Sequence, residues 1–101
     1  MAAYEIKGQT ISLKAATDMA GKKYSPVKVS GDGMFDVAGD GDTVIGVLQN
    51  EVKANEAGQI MINGVTMYKC TAELAAGAKV GTWGVALSAG ATGDIIAVLV
   101  K

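Results

Sequence analysis

The chain predicts an all-β fold: a small single-domain β-barrel or β-tulip of short strands, with Gly-rich turns and at most one or two short helical turns. Three observations predict it. Fourteen glycines are spread along 101 residues that hold a single proline, and short β-branched runs lie between them. No long amphipathic stretch of helical period interrupts this pattern. A Gly-Asp turn followed by six mostly apolar residues occurs twice, as Gly41-Asp42 before Thr43–Leu48 and as Gly93-Asp94 before Ile95–Val100. Such a turn suits a tight reversal into a buried strand.

Taken in order, the first expected strand is Tyr4–Lys7. Thr10–Lys14 follows, where Ile11 and Leu13 alternate with Thr10, Ser12 and Lys14 in the period of a half-buried strand. Lys14–Ala20, before Gly21, reads as a helical turn or as a loop. Strands are then expected at Tyr24–Val29, Met34–Val37 and Thr43–Leu48. Gln59–Ile62 and Val65–Cys70 flank Asn63-Gly64, the strongest short hairpin signal in the chain. Thr71–Gly77 fits one helical turn, with Thr71 as N-cap and Gly77 just past the end. Lys79–Leu87 and Asp94–Val100 complete the set. The two Gly-Asp copies stand 52 residues apart. They suggest two related hairpin units closing one small barrel, rather than a solenoid, which needs three or more copies. Chance similarity between Gly-Asp turns is the alternative.

Half of the residues are apolar, enough for a small core that oligomerisation would help to stabilise. The longest apolar run, Ile95–Val100, is far short of the roughly 20 residues of a membrane helix. Met1–Lys7 contains no apolar h-region, so no secretory signal is expected. Cys70 is the single cysteine, which favours assembly in a reducing cytoplasm. All nine basic residues are lysines, so no guanidinium fork is available to read phosphate or bases, and nucleic-acid binding is not expected. Charge is uneven. Residues 1–31 carry five lysines against Glu5 and Asp18, whereas residues 32–56 carry six acids against Lys53. That polarity either orients subunits or reflects ordinary solvated loops.

Catalytic chemistry is poorly supplied. With no histidine, the commonest general base, the usual Ser and Cys nucleophile pairs and most zinc sites are missing. Cys70 reads as a buried, inert thiol. The acidic stretch from Asp32 to Asp42 does not fit a calcium loop. Counted from Asp40, Glu51 falls at the twelfth position, but Val44 and Ile45 hold the fifth and sixth, where an oxygen ligand and a glycine are needed. Gly31–Gly33 and Gly39–Gly41 are not followed by Gly-Lys-Ser/Thr, so they are not a phosphate loop. Neither a metal nor a cofactor is expected. Trp83, the single tryptophan, reads as core packing or as an exposed interface anchor. Gly41, Asp42, Asn63, Gly64, Gly77, Gly93 and Asp94 read as structural turns, with the two aspartates satisfying turn amides.

The order Gly58-Gln59-Ile60-Met61-Ile62, Asn63-Gly64-Val65, Leu74-Ala75-Ala76-Gly77-Ala78-Lys79-Val80 and Gly93–Val100 resembles the small capsid decoration, or cement, proteins of tailed bacteriophages. The likeness runs over residues 20–101 and consists of structural turns. Residues 1–20 are then an N-terminal arm or first strands, and 21–101 the decoration barrel, within one domain overall. The resemblance implies a body that binds the outer surface of an assembled head, commonly as a homotrimer, and stabilises contacts between major capsid protein subunits. It places the protein on the virion, assembled in the host cytoplasm. Tyr4, Glu5, Ile6 and Lys7 become candidates for an arm that adds a strand to the shell, and Trp83 a candidate contact. Two other classes compete: a head-exposed glycan-binding module using Trp83, Tyr4, Tyr24 and Tyr68, and a co-chaperonin-like oligomeric barrel.

Overall fold

The structure, a computed structural model, describes residues 6–39 and 41–100. Among these residues the chain forms ten strands and no helix: β1 (Ile6–Lys7), β2 (Thr10–Ala15), β3 (Pro26–Gly31), β4 (Met34–Val37), β5 (Gly46–Leu48), β6 (Ala57–Met61), β7 (Gly64–Lys69), β8 (Lys79–Val80), β9 (Gly84–Ala86) and β10 (Ile95–Val100). Five of them close into a barrel in the order β2-β4-β3-β5-β6. The other five form an open sheet in the order β1-β7-β10-β9-β8. The fold is therefore the small all-β barrel that the sequence predicts, with an open sheet beside it.

Side-chain alternation divides the apolar residues between two cores. Ala15, Val27, Phe35, Leu48 and Ile60, with Met19 from a loop, fill the barrel. Phe35 fits because Gly58 has no side chain: a Cβ there would stand 2.6 Å from Phe35 Cζ. Tyr68, Val80, Trp83, Ala86, Ile96, Val98 and Val100 form the second core together with Val47. Val47 and Leu48 are neighbours in β5 yet serve different cores, and this strand ties the two layers together. Full burial of a Val, Leu, Ile, Phe or Met side chain among them is worth about 1.5–3 kcal/mol.

The chain passes between barrel and sheet at two adjacent bends. β1 runs into β2 through Gly8-Gln9, and β6 runs into β7 through Ile62-Asn63. β1 pairs with β7 (Lys7 opposite Gly64), and β2 pairs with β6 (Thr10 opposite Met61), all antiparallel. The result is one long, bent two-stranded ribbon. Ile62 N–H donates to the Gln9 carbonyl at 3.0 Å. Asn63 clasps the same residue twice: Gln9 N–H donates to Asn63 Oδ1 at 2.8 Å, and Asn63 Nδ2 donates to Gln9 Oε1 at 3.1 Å. A Cβ at Gly8 would run into the Asn63 carbonyl.

Four sequence expectations change. Asn63-Gly64 is a bend rather than a hairpin turn, because β6 and β7 pair with different partners in different sheets. Asn63 does not take the positive φ that either favoured two-residue hairpin turn requires at its first central residue. Thr71–Gly77 is not helical. Its amides are used across the chain instead, Leu74 N–H donating to Gly90 O at 2.8 Å and Gly77 N–H to Ala86 O at 2.7 Å. Lys79–Leu87 is two short strands, β8 and β9, divided at Gly81 (φ 55°) and paired with each other. The two Gly-Asp units do not close one barrel: the first leads to β5 in the barrel, the second to β10 in the open sheet. Lys14–Ala20 takes its loop alternative after Ala15.

Candidate functional site

A cleft of about 500 Å³ lies where barrel and sheet meet, lined by Gly39 and residues 41–44 on one side and by Tyr68, Thr71 and Val80–Trp83 on the other. The turn is shaped by Asp42. Asp42 Oδ2 accepts the Gly39 N–H at 2.8 Å, while Asp42 N–H donates to the Gly39 carbonyl at 3.2 Å. Gly41 between them has φ 83°, a conformation that favours glycine. The same arrangement recurs in the second copy. Asp94 Oδ2 accepts Ala91 N–H at 2.9 Å, Asp94 N–H donates to Ala91 O at 3.0 Å, and Gly93 has φ 90°. Both aspartates do satisfy turn amides.

A third copy exists that the sequence pattern did not disclose. Glu56 Oε1 accepts Lys53 N–H at 2.7 Å, Glu56 N–H donates to Lys53 O at 3.0 Å, and Asn55 stands at φ 69°. Here Asn-Glu replaces Gly-Asp. The readable signal was an acid one residue after a residue that tolerates positive φ, at the foot of a strand. Each of the three turns leads into a strand or strand-like run: 43–48, β6 and β10.

Asp42 also meets Lys28 Nζ at 3.2 Å. The Gly39 amide, then Lys28, holds the Asp42 carboxyl below its ordinary range. Lys28 stands opposite Asp36 in the β3–β4 register. At this point the basic first third and the acidic segment after it meet inside one barrel wall.

Two of the aromatic candidates, Trp83 and Tyr68, are interior. Trp83 is 7% exposed and Tyr68 4%, and their rings meet edge-to-face with centroids 5.5 Å apart and 69° between planes. Trp83 is thus a core residue that shows only a margin to the cleft, and neither ring offers a face for a sugar. Tyr24, held at φ 69°, has Lys23 Nζ 4.9 Å from its ring centroid. Both border a second recess of about 340 Å³ with Gln49, Asn50 and Gln59. The amides there are already engaged: Gln49 Nε2 donates to Val47 O and Thr66 Oγ1, Gln59 Nε2 to Ser12 Oγ, and Asn50 Oδ1 accepts Gln59 N–H.

Cys70 is buried in the second core, and burial, then the Asp94 carboxylate, pushes its thiol up. Among the described residues no three His, Cys, Asp or Glu side chains are grouped to hold a metal ion. Tyr4 and Glu5 lie outside the described residues. Ile6 and Lys7 form β1 at the edge of the open sheet, paired with β7. Gly77 (φ 83°) turns the chain ahead of β8. No protein-family model and no curated protein matches the chain.

Proposed function

We propose that the chain is a structural decoration protein that binds the outer surface of a tailed-phage head as a trimer and bridges major capsid protein subunits. The observation that carries this reading is the position of β1. It is two residues long, pairs only with β7 among the described residues, and sits at the rim of the open sheet. An edge of this kind accepts an added strand from a neighbouring protein through backbone hydrogen bonds. Tyr4–Lys7 is the segment assigned to that contact. The rest of the chain supplies a stiff support, since its turns are closed by their own acids and its bends are clasped by Asn63.

A bridge across several subunits gains from multivalency, because each later contact is effectively intramolecular. Modest contacts, repeated by symmetry, then hold a shell against internal pressure. Heads of the encoding virus, prepared with and without the protein, provide the test. Decorated heads are expected to survive heating that ruptures bare ones, and equal survival would sink the proposal.

A further inference from the structure

Two polar tips at the cleft between barrel and sheet lack partners. Buried tyrosine hydroxyls and tryptophan N–H groups usually find one. Trp83 and Tyr68 are both more than nine-tenths buried and both line this cleft, yet neither the indole N–H nor the phenol O–H is hydrogen-bonded among the described residues. Among those residues only the Ser88 hydroxyl is both unpaired and sealed from solvent. Both aromatic tips therefore reach open space, and the space they border is the cleft. Gly81 keeps the indole uncovered: a Cβ there would stand 3.0 Å from Trp83 Nε1.

The lining restricts what these tips can meet. Its only charged side chain among the described residues is Asp42, already paired with Lys28 at 3.2 Å, so an ion of either sign gains little there. Neither ring presents a face, so a sugar has nothing to stack on. The two free tips can both donate, and the walls at Pro26, Val44 and Val80 are aliphatic. The complementary ligand is uncharged and carries acceptors between apolar groups. An extended peptide has that form, with one main-chain carbonyl about every 3.4 Å and side chains alternating between its faces. The cleft's volume lies within the range of about 300–1,000 Å³ typical of ligand sites. We propose that the cleft binds an extended, uncharged peptide segment of a partner protein, its main-chain carbonyls accepting from Trp83 N–H and Tyr68 O–H. The proposal goes beyond the decoration reading and does not rest on it.

The single tryptophan gives one indole N–H resonance, which reports on the cleft directly. The probes are a library of acetylated, amidated hexapeptides of Ala, Val, Pro, Ser and Gly, titrated into the ¹⁵N-labelled full chain. The same peptides with Lys or Glu at the centre, and maltose, represent the competing chemistries. Uncharged peptides are expected to move the indole resonance saturably, and the charged peptides and maltose to leave it in place. Tyr68→Phe removes a hydroxyl with no partner to lose, so its melting temperature should match the wild type. The best peptide should nevertheless bind this variant about three- to tenfold more weakly. Val29→Ser, on the barrel at 57% exposure, is the control and should bind as the wild type does. No saturable shift with any uncharged peptide, a shift with maltose or charged peptides alone, or undiminished binding by Tyr68→Phe overturns the proposal. A marked fall in the melting temperature of Tyr68→Phe overturns it too, because the hydroxyl would then be engaged within the fold.

Discussion

Phe35 and Gly58 set the size of the barrel interior between them. The ring has room only because the facing residue lacks a Cβ, and Leu48 closes the same site, 3.1 Å from where that Cβ would be. Gly58→Ala is expected to destabilise the fold by about 1–3 kcal/mol, as overpacking of a filled core does. In a chemical-denaturation cycle with Phe35→Leu, the double variant should lose clearly less than the two single losses added together. Asp42 yields a pH signature. A carboxyl whose pKa is lower folded than unfolded stabilises the protein above its unfolded value, and that contribution disappears as pH falls through the folded one. Asp42→Ala should therefore lower the melting temperature at neutral pH, with the gap to the wild type narrowing below about pH 4. Cys70, buried with its thiol raised, should resist a thiol reagent at pH 8 in the native protein and react fully once the chain is unfolded.

At the scale of elements, the organising unit is the bent ribbon made by β1–β2 and β6–β7. Asn63 holds both bends together, so Asn63→Ala removes two side-chain hydrogen bonds and should cost about 1–2 kcal/mol in denaturant titrations. Strand positions were largely legible in the sequence, because alternation and β-branched runs are local properties. Pairing was not. Asn63-Gly64 carries a hairpin signature, yet the fold uses it to turn a ribbon from one sheet into another, a choice made by the partners β2 and β10 far away in the chain. Thr71–Gly77 failed for a related reason. Its helical propensity is weak over one turn, and the carbonyls of Ala86 and Gly90 compete successfully for its amides. The Gly-Asp echo was legible as a turn, including the role of its aspartates, but its place in two separate sheets depended on long-range register.

For the whole molecule, the closed barrel leaves no free edge, while the open sheet ends in edges at β1 and β8. The sequence suggested the N-terminal strand as a contact. The run Ile95–Val100 reads as buried throughout, and the fold does bury it except at Ile95 and, in part, Leu99. Trp83 stood out in the sequence for its size, and the same size puts it in the core. The most direct test of the decoration proposal is to add purified protein to expanded and unexpanded heads of the tailed phage that this proposal takes as its source and count bound copies by cryo-electron microscopy. The account predicts saturable addition to expanded heads in trimers at fixed symmetry positions, through the β1 edge. Absence of binding to expanded heads, or scattered binding without fixed positions, would contradict it.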